Sequence, residues 1–249
     1  MNAVSFLPMA WGNLAYADAG GLNYPTVFLH GTGCDTSDWQ ETLNGLRDDV
    51  RAVVMDFRGH GLSDVPTGRF TIENLAQDVR ALMAHLNLKR PLLVGHSLGG
   101  MVAMAVARQT ENVGGLVLLE GWTTLACARE AFRGERMFGN LLPSKITTIQ
   151  SKSAETKARF SDIDWQFFWE SVKAFDAEDF LKQTQMPIWQ VYGDLGRKED
   201  SERRLRVPNR AHILWHWVKG AGHYLPHECS ADVAHICRQA VKRMTHEVS

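Results

Sequence analysis

The chemistry-bearing residues of this chain fall in three short stretches. Gly95-His96-Ser97-Leu98-Gly99 sets a serine between two glycines, after the apolar run Pro91 to Val94 and before the helical run Gly100 to Arg108. A strand that turns at once into a helix strains its middle residue, and flanking glycines remove the side chains that would collide. The Ser97 hydroxyl is then presented at a helix N-terminus, where the helix dipole favours a developing negative charge. Serine is a weak nucleophile until a base takes its proton, so an imidazole and an orienting carboxylate must follow downstream. Of ten histidines, His223 lies in Gly220-Ala221-Gly222-His223-Tyr224, a loop between the strand-like Ile213 to Val218 and the final helix. His227, beside Pro226, reads as a surface or helix-cap residue. Asp194 closes the apolar Ile188 to Gly193 and is followed by Gly196, which makes it the expected acid under the order Ser, Asp/Glu, His. Glu120, at the end of the preceding strand, is its rival. His30-Gly31-Thr32-Gly33 follows another strand, so the N–H groups of Thr32 and Leu98 are the expected oxyanion hole.

Ser97, His223, an acid and two amides supply every group that ester hydrolysis needs, so no cofactor and no metal is expected. His212, His216, His223 and His227 do show i, i+4 spacing. The first pair falls in a strand, however, where four residues span more than about 10 Å.

The elements that must position these groups follow from periodicity. Thr26 to Leu29, Ala52 to Met55, Leu92 to Gly95, Gly115 to Leu119 and Ile188 to Tyr192 are short, rich in Val, Ile and Leu, and bounded by Gly, Pro or Asp. They read as buried strands of a parallel sheet. Ile72, Leu75, Ala76, Val79, Leu82, Met83 and Leu86 recur at steps of three and four behind Thr71, predicting an amphipathic helix with Thr71 as N-cap. Ser230 stands likewise before the last helix, with Cys237 on its core face. The expected class is doubly wound α/β.

The alternation breaks once. From Trp122 to Gln185 no strand pattern appears, and Phe132, Phe138, Trp165, Phe167, Phe168, Trp169 and Phe175 sit among charged residues. The expected organisation is a core of residues 1–121 and 186–249 with a helical cap of 122–185. Trp165, Phe168, Trp169 and Val172 share one helical face, which either packs on the core or lines an apolar pocket. Trp122, Phe138, Trp165 and Trp169 are the candidate substrate-binding rings.

Composition narrows the partners. Twenty-seven Lys plus Arg stand against 28 Asp plus Glu, a net charge of −1, with no basic block for a phosphate backbone. The longest apolar run, Met101 to Ala107, is far shorter than a bilayer span. The first basic residue is Arg47, so no secretory or transit signal is read at the N-terminus. Cys34, Cys127, Cys229 and Cys237 show no C-x-x-C spacing. The expectations are free thiols in the cytoplasm and a small-molecule substrate, with no nucleic acid and no membrane. A homodimer stays open.

Together the stretches resemble the α/β-hydrolase superfamily. His30-Gly31-Thr32-Gly33, Asp56-Phe57-Arg58-Gly59-His60-Gly61-Leu62-Ser63, Gly95 to Gly100 and Gly220 to His223 occur in the family order at family-like spacings. The resemblance implies that fold, an acyl-enzyme on Ser97, and a loop from Asp56 to Asp64 that shapes the pocket edge without doing chemistry. A serine at the elbow argues against the haloalkane dehalogenase and epoxide hydrolase branches, whose nucleophile is Asp. The segment Arg58 to Ala81 is similar to esterases, 3-oxoadipate enol-lactonases and meta-cleavage C–C hydrolases alike. The expected reaction is cleavage of a small apolar carboxylic ester or lactone. C–C bond hydrolysis of aromatic-degradation type, cofactor-free dioxygenation and ligand reception remain the alternatives on the same scaffold.

Overall fold

Side chains alternate across a strand, and in a sheet covered on both faces each strand feeds two cores. In β3 (Pro25–Leu29), Val27 and Leu29 enter one core while Phe28 enters the other. β4 (Arg51–Met55) divides the same way, Val53 and Met55 against Val54. With β5 (Leu92–His96), β6 (Gly115–Leu119), β7 (Ile188–Gly193) and β8 (Ile213–Val218), they form a parallel array in the order β4-β3-β5-β6-β7-β8. The computed structural model describes residues 3–131, 137–195 and 201–246. Phe132 and Gly196 lie outside the described residues.

The expected strands are present within a residue or two, but the sheet is larger. An antiparallel hairpin, β1 (Ser5–Met9) and β2 (Gly12–Asp18), joins the edge of β4. β1 escapes a search for apolar runs because it is mostly exposed and carries Pro8, which suits an edge strand, and β2 buries only the short run Leu14 to Ala17.

Helices α2 (Ile72–His85) and α3 (Leu98–Gln109) cover one face, and α1 (Gln40–Leu46) and α10 (Ser230–His246) the other. The Thr71 cap forms as expected: its hydroxyl accepts the Asn74 N–H, and the Asn74 side chain accepts the Thr71 N–H at 3.0 Å. At α10 the helix already includes Ser230, and Val233 N–H reaches back to Cys229. Cys237 is buried there, and the four cysteines are unpaired.

Between β6 and β7 lie α4 (Leu125–Ala131), α5 (Pro143–Ala158), α6 (Asp162–Ala174) and α7 (Glu178–Gln183). Phe168 and Val172 bury the apolar face of α6, with Phe168 stacked on Phe70 at 4.8 Å. Two short helices, α8 (Ser201–Arg204) and α9 (Leu225–Glu228), complete the chain. No described helix is long and apolar enough to cross a membrane.

Candidate active site

The site is assembled where β3, β5, β6 and β8 end. Ser97 joins β5 to α3 with φ 53 and ψ −114, a region that residues with a Cβ rarely occupy. Two glycines make this turn sterically feasible. A Cβ on Gly95 would lie 2.3 Å from the Gly99 carbonyl oxygen, and one on Gly99 would lie 2.0 Å from that of Leu29. Leu98 opens α3, so its N–H belongs to the first turn, which has no intrahelical acceptor.

His30 orients the loop after β3. It is buried, donates from Nδ1 to the Gly31 carbonyl at 2.7 Å and accepts the Phe57 N–H at Nε2 at 3.0 Å. The Cys34 N–H donates to the same Gly31 carbonyl at 3.2 Å. Carbonyl and N–H point in opposite directions across a trans peptide. Holding the carbonyl of Gly31 therefore fixes the direction of the Thr32 N–H. Gly31 also packs where a Cβ would stand 2.9 Å from His96 Nδ1 and 3.4 Å from the Ser97 Cβ, which brings this loop against the serine.

His96 links the elbow to His223. Its Nε2 donates to the His223 carbonyl at 2.9 Å, and the two rings lie 5.0 Å apart. Burial, then the neighbouring His223, pushes the His96 pKa down to about 3, so the ring is neutral. From the other side Glu228 accepts the N–H groups of Gly222 at 2.7 Å and Tyr224 at 3.0 Å, bracketing His223. The His223 N–H donates to Met137 of the insertion at 2.8 Å.

The acid is where the geometry departs from the expectation. Among the described residues, the carboxylate facing His223 Nδ1 belongs to Glu120, whose Oε2 lies 3.4 Å away. Glu120 is fully buried, and its other oxygen accepts the Gly193 N–H at 2.9 Å. Asp194 is exposed, and its carboxylate accepts the Gly220 N–H at 2.6 Å instead. The expectation for Asp194 is corrected to that extent: it ties the end of β7 to the loop before His223, while the rival Glu120 meets the imidazole. Five described non-glycine residues have positive φ, and Ser97 and Glu120 are two of them. Backbone strain of this kind needs a surrounding structure that enforces it.

The candidate rings divide. Trp122 is buried with its plane within 5° of the His223 ring at 6.0 Å, and Phe138 stacks on Tyr224 at 5.2 Å. Trp165 and Trp169 instead join Phe160 and Phe168 in the cluster on α6. The loop after β4 is tied to its neighbours by charged side chains. Asp56 accepts the N–H groups of Thr36 at 2.7 Å and Leu62 at 2.9 Å, and Arg58 pairs with buried Asp78 at 2.6 Å. His227 is half-buried in α9, and its Nε2 lies 2.8 Å from buried Asp38. The roles of His96 and Glu228 were not read from the sequence, although one is the variable residue of the serine motif and the other lies five residues past His223. No group of three His, Cys, Asp or Glu suited to a metal occurs among the described residues.

Known proteins share this architecture. The N-acyl homoserine lactonase AidH, complexed with N-hexanoyl homoserine lactone, matches with a TM-score of 0.81 over 98% of this chain and 99% of that one, at 17% identity. A thermophilic esterase from Thermogutta terrifontis gives 0.73 over 98% and 99%, at 21% identity. In sequence, 3-oxoadipate enol-lactonase 2 of Acinetobacter baylyi is 34% identical over 95 residues, covering 38% of this chain and 36% of the enol-lactonase. Haloalkane dehalogenase 2 of Mycobacterium tuberculosis (strain ATCC 25618 / H37Rv) is 34% identical over 113 residues, 45% of this chain and 39% of the dehalogenase. Both stretches span well under half the length of those relatives. The sequence pattern of the alpha/beta hydrolase family matches residues 26–236, a span that holds Ser97, Glu120 and His223. The chain belongs to the alpha/beta hydrolase family.

Proposed function

We propose that the protein cleaves a small, mainly apolar carboxylic ester or lactone through an acyl-enzyme on Ser97. Ser97 Oγ attacks the acyl carbonyl and passes its proton to His223 Nε2, while Nδ1–H stays directed at Glu120. The tetrahedral oxyanion is held by the N–H groups of Thr32 and Leu98. His223 then returns the proton to the leaving alkoxide, and a water deprotonated by the same ring releases the acid. For a lactone, acid and alcohol leave as one molecule.

The observation that carries this reading is the strained backbone of Ser97 at the head of α3, with His223 and its carboxylate on the adjoining strand ends. The serine also favours the ester and lactone relatives over the dehalogenase, whose branch uses an Asp nucleophile. In this reading the insertion between β6 and β7 acts as a cap, and Trp122 and Phe138 wall the site beside His223. Trp165 and Trp169 support the cap from behind. The substrate is the expected partner. The scheme calls for no metal or cofactor, so activity survives exhaustive dialysis against EDTA.

A series of p-nitrophenyl esters from acetate to laurate, with lactones alongside, tests the proposal. Burying one CH₂ is worth about 0.8 kcal/mol, so kcat/KM rises about fourfold per methylene until the pocket is full and then falls. Turnover of none of these, beside cleavage of a dienol ketone, would move the protein to C–C hydrolysis.

A further inference from the structure

We propose that Lys152, Asp38 and His227 form a junction that positions the oxyanion loop and the His223 loop only while helix α5 is seated. This inference rests on the proposed hydrolase reading, and it concerns residues outside the triad.

Asp38 lies in a 3-10 turn, Thr36–Trp39, that continues directly from the oxyanion loop. It is buried, and its two carboxylate oxygens hold three segments of chain. Oδ2 accepts the Asp35 N–H at 2.7 Å, closing the turn on itself. Oδ1 accepts from His227 Nε2 at 2.8 Å, four residues beyond His223, and from Lys152 Nζ at 3.0 Å, on α5. Lys152 also donates to Asp35 Oδ1 at 2.9 Å and Ser37 Oγ at 2.7 Å, so its three N–H groups are all spent on this one turn.

A second contact places α5 on the loop itself. Gly33, next to Thr32, has φ +71, and a Cβ there would stand 2.8 Å from the Ser153 Cα. Helix α5 therefore rests its backbone against the peptide after Thr32 while Lys152 grips the turn that follows. Burial alone would raise the Asp38 carboxyl. Hydrogen bonding to His227 and the charge of Lys152 outweigh it and hold Asp38 far below the usual carboxylate range. The charged form is thus the one the junction is built around, and a buried carboxylate that loses a cationic partner becomes costly. Displacing α5 removes Lys152 from Asp38 and frees the loop that aims the Thr32 amide together with the helix behind His223. These three are positioning residues. None touches the reacting atoms.

Hydrogen exchange on the full chain tests the junction without reference to turnover. Lys152→Met keeps the side-chain stem and removes the charge. It is expected to speed exchange about tenfold in 31–39 and 222–229 as well as in α5, the scale of one lost charge-assisted bond. Lys152→Arg restores protection. Lys145→Met breaks the exposed contact of the same helix with Glu41 and leaves 222–229 unchanged. Should Lys152→Met fold poorly, Asp38→Asn supplies the same comparison with the charge removed from the other side. Acceleration confined to 143–158, or spread evenly over the chain, overturns the proposal. In a second readout, kcat per fluorophosphonate-titrated site on p-nitrophenyl acetate falls about tenfold in Lys152→Met with KM little changed, and recovers in Lys152→Arg. An unchanged kcat per titrated site reduces the junction to a structural contact. An absence of turnover or labelling in the parent protein counts against the hydrolase reading and leaves the exchange result to stand alone.

Discussion

Glu120 Oε2 faces His223 Nδ1 at 3.4 Å from the end of β6, while Asp194, at the end of β7, spends its carboxylate on the Gly220 N–H. Two acids thus stand at neighbouring strand ends, and only the longer, buried side chain spans the distance to the imidazole. If Glu120 holds the working tautomer of His223, Glu120→Gln lowers kcat by about 10⁴ with the fold retained. Asp194→Asn costs far less. Parallel kinetics of the two variants check this, and the reverse ranking returns the role to Asp194.

The elbow glycines give a prediction on stability. Gly99→Ala drives a Cβ into the Leu29 carbonyl at 2.0 Å, contact with backbone that no rotamer relieves. Overpacking of this sort costs about 1–3 kcal/mol or more. Gly68 has open space around it and no positive φ, so Gly68→Ala stays within about 0.5 kcal/mol of the parent. Urea denaturation of both variants measures the difference, and equal midpoints would contradict the steric account of the turn.

Two buried histidines set an acid limit. Burial is the main cause that pushes both His60 and His96 down to about 3 from an ordinary value of 6.5. Between those values the unfolded chain binds protons that the folded chain refuses. Stability is therefore complete above about pH 6.5 and falls as the pH drops toward 3, by up to about 1.4 kcal/mol per pH unit for each ring. Thermal melts from pH 8 to pH 4 should show Tm falling below about 6.5. His60→Gln should flatten that fall. A Tm independent of pH in this window would contradict neutral burial of the rings.

Much of this was legible because glycines, histidines and apolar runs report local constraints. The serine motif needs its strand, helix and glycines in sequence, so Ser97 could be located from neighbours alone, and His223 from its Gly-rich loop. The choice between Glu120 and Asp194 could not be read that way. It depends on which carboxylate the twist of β6, β7 and β8 carries to Nδ1, a relation among residues 73 and 103 positions apart in chain. In the β1–β2 hairpin, β1 faces outward and gives no buried-strand pattern, while β2 buries Leu14 to Ala17, a run without the Val and Ile that marked the other strands. Asp38 and Lys152 carried no signal in the sequence, and His227 gave none that tied it to them. Each is an ordinary surface residue type, and only the seating of α5 joins Lys152 and His227 on buried Asp38. The rings of α6 were readable as a helical face, but Trp165 and Trp169 pack with Phe160 and Phe168 rather than beside His223, and periodicity does not distinguish those outcomes.

The central claim is that Ser97 carries the acyl group. Rapid acid quench of the protein with p-nitrophenyl butyrate, followed by peptide mass spectrometry, measures this directly. The account predicts a butyryl adduct on the peptide bearing Ser97, absent in Ser97→Ala, whose kcat is lower by about 10⁶. Butyryl on another residue of an active preparation, or turnover undiminished in Ser97→Ala, would contradict it.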